Sequence, residues 1–406
     1  MRAALVATGS ELLHGSVRDT NAAFIGSRLF RTDLELAETR FTGDREDDIR
    51  RAIGETAAVY DAVFVTGGLG PTEDDITCAA ICAVAGLGTE IHAPSKERMM
   101  RFFAARGVSP NAGDMKMVTV PSGAAVFPNE VGLACGFAVH HGELTILALP
   151  GVPREMERMF DVHALPYLMK ELGARERRHL VFRVAAVREA EVDRRVKSLA
   201  LPLDEMEWGI CTSPGVNEVT FAGKEDRPFA EDDIIAAMKG EFGGALLQRG
   251  SLEEDVVALL DGRGLTLALA ESCTGGMVAA RVTGVPGASR VFTGGVTAYA
   301  NEAKARLLGV SESTLEKFGA VSEETAREMA EGARLALGAN FGVSVTGIAG
   351  PGGGSGEKPV GTVCFGLASP EGVTSRREFI PGDRARVRDF SAAFALNMLR
   401  IYLTKK

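Results

Sequence analysis

The sequence predicts an α/β protein in which two parallel-sheet α/β domains are joined by a small α+β domain. Three observations carry this. Short, continuous apolar runs such as Ala3–Ala7, Ala62–Thr66, Leu144–Leu149 and Phe341–Thr346 alternate with longer amphipathic stretches near both ends of the chain. That is the pattern of strands buried on both faces with helices between them. Glycine-rich loops follow several of the runs, where open α/β sheets bind ligands. Between the two ends, the alternation gives way to a hairpin signal. The expected spans are residues 1–170, 171–248 and 249–406, within roughly 100–200 residues per domain.

In order, Ala3–Ala7 reads as a strand, Asn21–Leu29 as a helix, Leu34–Phe41 as a strand and Arg45–Ala58 as a helix. Ala62–Thr66 and Ile76–Ala85 follow as strand and helix. Two loops leave the strand ends. The first, Thr8–Gly15, holds Glu11, with Asp19 and Asn21 beyond it. The second, Thr66–Thr77, holds Gly67, Gly68, Gly70, Asp74 and Asp75. Glycines let a backbone approach a ligand closely, and two carboxylates after such a loop suit a phosphate-plus-Mg²⁺ site. The ordinary alternative is that both aspartates favour a helix start. Pro150-Gly-Val-Pro153 ends the strand Leu144–Leu149 and opens a helix around Glu155–Phe160. The charged segment Glu171–Arg178 marks an exposed boundary.

Leu180–Val187 alternates as a strand and Glu189–Leu199 reads as a charged helix. Glu207–Thr212 and Asn217–Ala222 pair across Ser213-Pro-Gly215, and Phe229–Phe242 is a helix. Nothing in this unit has catalytic spacing; it reads as a connector or dimerisation module. Ser251 then caps a helix to Leu260, with Glu254 completing a capping box.

The chemistry concentrates at Leu267-Ala-Leu-Ala-Glu-Ser-Cys-Thr-Gly-Gly276. The run Leu265–Ala270 reads as a strand, and Gly275 and Gly276 open a helix, Met277–Val282. A hydroxyl at such a turn can attack a carbonyl while N–H groups of the turn hold the oxyanion. The alternative is that Ser272 or Thr274 only caps the helix. All six histidines lie at or before His179, so a serine hydrolase here needs a Ser-Lys or Ser-Tyr arrangement. Tyr299 leads directly into Asn301-Glu-Ala-Lys304. Cys273 reads as inert packing. The loop Gly347–Gly356, with Gly350 in it, follows the strand ending at Thr346 and suits a ligand loop. Arg384, Arg386 and Arg388 stand at a helix start, where guanidinium forks suit a phosphate or carboxylate and a solvated helix end is the equal alternative.

Composition sets bounds. An apolar fraction of 46% and 48 glycines fit glycine-rich α/β cores, and the net charge of −9 argues against a dedicated nucleic-acid binder. The six cysteines are scattered without a zinc pattern, which fits a reducing cytosol. No apolar run approaches the ~20 residues of a membrane span. The N-terminus reads as a strand, not a signal sequence.

Together these segments resemble the CinA family over essentially the whole chain. The C-terminal part resembles its nicotinamide-nucleotide amidase domain through Ala270–Gly276, Gly295–Lys304, Gly319–Ser322, Thr346–Pro351 and Lys358–Thr362. The resemblance implies hydrolysis of nicotinamide mononucleotide to the nicotinate mononucleotide and ammonia, without a cofactor. Ser272 would be the nucleophile, assisted by Tyr299 and Lys304. Thr274, Gly275 and Gly276 would supply oxyanion donors; Thr346, Gly347, Gly350, Arg384 and Arg388 would hold the mononucleotide. The N-terminal part resembles the family's molybdopterin-binding-like domain through Gly9–Leu13, Asp19–Asn21, Gly67–Thr72, Asp74-Asp75 and Pro150–Pro153. It implies metal-dependent ADP-ribose pyrophosphatase activity, with Asp74 and Asp75 beside a divalent metal such as Mg²⁺. Two stretches depart from the family pattern, Asp114-Met-Lys-Met117 and Gly132-Leu-Ala-Cys-Gly-Phe137, and both flank the expected nucleotide pocket. The middle unit resembles a KH-like domain without the basic loop that RNA binding uses. The expected setting is cytoplasmic, with a homodimer and the two small molecules as partners.

Two other readings use the same residues: a nucleotide-binding regulatory protein in which Ser272 only caps a helix, and chemistry confined to the N-terminal domain as ADP-ribose cleavage or pterin handling. For Lys304 to act as a base its ammonium must be destabilised. Asn301 as N-cap would place Lys304 in a first helical turn, where the positive helix end and burial both disfavour the charge. Glu302 would act in the opposite sense if it faced the site.

Overall fold

The computed structural model describes residues 1–224 and 229–405. The chain divides into two compact units, Met1–Arg178 and His179–Lys406.

The first unit is built on a six-stranded sheet. In spatial order its strands are Glu35–Thr42, Arg2–Thr8, Ala62–Thr66, Leu144–Leu149, Gly136–His141 and Ala125–Phe127. The first four are parallel and Gly136–His141 runs antiparallel to the neighbour on each side, so the sheet is mostly parallel, as the sequence suggested, with one reversed strand. Successive side chains of a strand face opposite sides, and each side meets its own helices. Leu5, Phe64 and Leu147 pack with Ile25, Leu29, Met156 and Phe160. Val6, Val63, Val65 and Ile146 pack with Ile49, Ile53, Ala80 and Ile81. Burying each large apolar side chain contributes about 1.5–3 kcal/mol, which is why the central strands read as unbroken apolar runs.

Several elements escaped the sequence reading. Thr89–Ile91 pairs with Thr119–Pro121, and helices Ala93–Ala104 and Ala112–Lys116 lie between them in sequence. The helix opening at Pro153 runs on through a π-turn, Phe160–Ala164, into Leu165–Glu171. Pro166 lacks the N–H that an α-ladder needs, and the change of register passes the chain over that point.

In the second unit, Met206–Ser213, Val216–Gly223 and His179–Ala185 form an antiparallel three-stranded sheet. With helices Glu189–Lys197 and Glu231–Phe242 it encloses its own core, centred on Val184, Val192, Phe221, Ile234 and Met238. A five-stranded sheet follows, in the order Phe292–Thr297, Leu267–Glu271, Phe341–Gly347, Thr362–Ser369 and Gly372–Phe379. Its first three strands are parallel, and Thr362–Ser369 runs antiparallel to the neighbour on each side. Helices Leu252–Asp261 and Arg384–Thr404 pack on one face through Val256, Leu260, Leu396 and Leu399; Glu323–Ala336 packs on the other through Met329 and Ala333.

Ser251 does cap its helix, accepting from Glu254 N at 3.2 Å. The expected capping box is not closed, because Glu254 accepts from Gly250 N instead, at 2.8 Å. No helix among the described residues is long and apolar enough to cross a membrane.

Candidate active sites

Ser272 follows the last residue of Leu267–Glu271, a strand flanked on both sides by parallel neighbours. Its N–H continues the ladder to Val345 O at 2.9 Å. The chain then turns through Gly275 and Gly276, with φ of 63° and 95°, a region that L side chains rarely adopt. The side chain of Ser272 is buried, and Lys304 Nζ lies 3.1 Å from its Oγ. Lys304 comes from the helix Asn301–Leu308 and is only 1% exposed. Its other bonds run to Ala298 O at 3.0 Å and Tyr299 O at 2.9 Å.

This arrangement suits a base. Two N–H groups can rest on the carbonyls while the remaining vertex of the nitrogen meets Ser272 Oγ, either donating or accepting the proton. Among the described residues no carboxylate pairs with Lys304. Desolvation pushes its ammonium below the ordinary lysine value, with Cys273 acting in the opposite sense. Glu302 is exposed and turned to solvent. The N-cap is Ala300, not Asn301, which is the first helical residue; Lys304 still lies in the first turn. Burial pushes the neighbouring Cys273 thiol up to about 12, so Cys273 is not a thiolate nucleophile.

Neither Ser272 nor Thr274 caps the helix that follows. The N-cap is Gly276, and the carboxylate of Glu271 does the capping. Glu271 Oε2 accepts from Gly276 N at 2.9 Å and Val278 N at 3.1 Å, and Oε1 accepts from Ala279 N at 2.8 Å. Two of the three expected oxyanion donors are therefore engaged, since Gly275 N donates to Ser272 O at 3.1 Å. Only Thr274 N of that trio has no oxygen acceptor among the described residues, where it meets just the Cys273 sulfur, and Thr274 Oγ1 is buried there without a partner.

Tyr299 touches Lys304 through its carbonyl, and the residue is 64% exposed. Arg388, expected to hold the mononucleotide, reaches the nucleophile turn, where its guanidinium donates to Cys273 O at 3.1 Å and Thr274 O at 2.9 Å. Arg384 donates to Gly350 O at 3.0 Å. Both arginines thus brace loops through main-chain carbonyls. The hydroxyl of Thr346 is turned to Ala320 O at 2.7 Å, and Gly347 ends the neighbouring strand.

In the first unit Glu11, Asn21, Gly67, Gly68, Gly70, Asp74 and Asp75 line one cavity of about 690 Å³. Gly67 and Gly68 have φ of 98° and 66°; a Cβ on Gly67 would meet Thr8 O at 2.6 Å. Asn21 is buried, donates Nδ2 to Gly151 O at 2.9 Å, and leaves Oδ1 without a partner. Asp75 Oδ2 accepts from Thr72 N at 2.8 Å and from its hydroxyl at 2.5 Å. Asp74 also accepts from the Thr72 hydroxyl, which with Lys116 holds its carboxyl below the usual range. No group of three or more His, Cys, Asp or Glu placed to hold a metal occurs among the described residues.

The model of the CinA C-terminal domain matches residues 249–403, and that of the probable molybdopterin binding domain matches residues 4–170. A CinA-like protein of Geobacter sulfurreducens is 39% identical over 407 residues, covering 98% of each chain. The chain belongs to the CinA family. A putative competence-damage inducible protein of Thermoanaerobacter pseudethanolicus is 36% identical over 408 residues, covering 99% of this chain and 98% of the relative. Among solved structures, the competence/damage inducible protein CihA of Agrobacterium tumefaciens is 43% identical, covering 39% of this chain and 98% of its own, with a TM-score of 0.37.

In this CinA chain, sequence reasoning missed Glu271 as a site residue and did not foresee the main-chain carbonyls that Arg384 and Arg388 bond. A signal for Glu271 was available: a carboxylate ending an apolar strand and standing five residues before a Gly276-headed helix. Nothing in the sequence separates an arginine aimed at a ligand from one aimed at a carbonyl.

Proposed function

We propose that the C-terminal site is a serine amidase acting on nicotinamide mononucleotide. The observation that supports this most is the buried Lys304 on Ser272 Oγ, without a carboxylate partner and beside a protonated Cys273. Ser272 Oγ attacks the amide carbon as Lys304 Nζ takes its proton, giving a tetrahedral oxyanion. The C–N bond breaks and the lysine proton leaves with ammonia. Water then adds to the acyl-serine, gives a proton to the lysine, and releases the carboxylate product; the lysine proton returns to Ser272. The test is ammonia release from nicotinamide mononucleotide without added metal. Wild-type protein should release it and Ser272→Ala should not; equal rates would refute the reading.

A second activity is supported by the N-terminal cavity and its unpartnered Asn21 Oδ1. This reading is ADP-ribose cleavage with a divalent metal. Asp75 Oδ1 has no protein partner among the described residues, and Asp74 is held only within its own loop, by the Thr72 hydroxyl and its own N–H. Two carboxylates suit a Mg²⁺ ion that takes its remaining ligands from water and substrate phosphates, so the donor set fits. The metal would neutralise the pyrophosphate; the glycine loop admits the phosphates closely, and Asn21 is placed to accept a hydrogen bond from the nucleotide.

A further inference from the structure

We infer that Glu271 is the positioning residue of the nucleophile turn, and that by occupying the helix start it leaves the N–H groups of Cys273 and Thr274 as the oxyanion donors. This rests on the Ser272–Lys304 reading above.

The usual oxyanion site at a strand-to-helix turn is the free N–H groups of the helix N-terminus. Here that N-terminus is already filled. Gly276, Val278 and Ala279 donate to the Glu271 carboxylate, and Met277 N donates to Thr274 O at 3.3 Å. With Gly275 N on Ser272 O, every N–H from Gly275 to Ala279 is engaged by the protein itself. A substrate oxygen that approached them would meet a carboxylate. Cys273 N and Thr274 N are the donors next to Ser272 with no oxygen acceptor among the described residues; both lean on the buried Cys273 sulfur, a weak acceptor that a substrate oxyanion would outcompete.

The same carboxylate restrains the turn. Two consecutive glycines in the left-handed region have wide conformational freedom when unrestrained. Glu271 precedes Ser272 directly and grips the chain beyond both glycines, closing the turn into a ring around the nucleophile. It is 2% exposed, with no Lys or Arg paired to it among the described residues. Ordinary capping asks for one short polar side chain at the N-cap. A glutamate reaching forward from the preceding strand instead ties strand, nucleophile and helix together.

The test uses full-length protein and two readouts. One is amide hydrolysis. The other is covalent labelling of Ser272 by a fluorophosphonate, which reports nucleophile geometry whatever the natural substrate. In Glu271→Gln an amide NH₂ must face a backbone N–H, so kcat and the labelling rate should fall by roughly 10–10³-fold with KM nearly unchanged. The pH profile should stay where Lys304 sets it. Glu271→Asp keeps the charge but is one methylene too short, and should fall in the same direction if the first variant folds poorly. A crystal structure of the wild-type adduct should place the phosphonyl oxygen about 2.7–3.1 Å from Cys273 N and Thr274 N. Wild-type labelling rates in both variants, or variants that only melt earlier with unchanged kcat, would overturn the positioning role. A phosphonyl oxygen on Gly275 N or Gly276 N would overturn the donor assignment. Absence of Ser272 labelling in the wild type would sink the amidase reading, and this inference with it.

Discussion

Lys304→Met is the most informative single substitution. Methionine keeps most of the stem volume and removes the nitrogen that bonds Ser272 Oγ, Ala298 O and Tyr299 O. Two carbonyls lose a donor, at about 1–3 kcal/mol each where burial is complete. Against this, an ammonium no longer has to be held away from water, a relief of the same sign as its lowered pKa. The two effects oppose, so net stability should change by no more than about 2 kcal/mol and the variant should fold. Catalysis has no such offset. Proton transfer by a positioned base contributes roughly 10²–10⁴-fold, about 3–5 kcal/mol at 1.36 kcal/mol per tenfold. The pH behaviour gives a second check. The folded wild type binds fewer protons than the unfolded chain between the lowered pKa of Lys304 and about 10.4. Wild-type stability relative to Lys304→Met should therefore rise with pH through that window, and wild-type kcat should rise as the ammonium is lost. The assays are ammonia release against pH and urea melts at several pH values. Near-normal kcat in Lys304→Met between about pH 6 and 9 would refute the base assignment.

Three further outcomes follow from the geometry. Arg388→Ala removes both bonds to the carbonyls of Cys273 and Thr274, so steady-state kinetics should show kcat falling by roughly 10-fold or more, not only a raised KM. Cys273→Ala should keep most activity, because a thiol pushed up to about 12 is not ionised near neutrality; a loss on the scale of Ser272→Ala would make the sulfur the nucleophile. Asp75→Ala frees Thr72 N and removes a carboxylate proposed to hold the metal, so AMP release from ADP-ribose should fall at least ~100-fold while ammonia release is spared.

The sequence by itself determined the α/β class and the buried central strands, because apolar runs such as Ala62–Thr66 and Leu144–Leu149 can be satisfied only between two covered faces. Its resemblance to the CinA family pointed to the Ser272 turn for the proposed nucleophile, where the residues alone left a helix cap open, and the placement of the histidines excluded a local imidazole. Periodicity says nothing of strand direction, so the antiparallel partners Gly136–His141 and Thr362–Ser369 were not legible as such. Nor could spacing show where long side chains end. Arg384 and Arg388 have the composition of an anion site, yet the fold turns them onto carbonyls. Glu271 reads as a strand terminus and proves to be the cap of the next helix. Lys304 and Ser272 stand 32 residues apart, and only the parallel pairing of Leu267–Glu271 with Phe292–Thr297 brings the helix that follows the second strand over the end of the first. Burial, which decides whether that lysine can give up its proton, is a property of the packed neighbours and exists only in three dimensions.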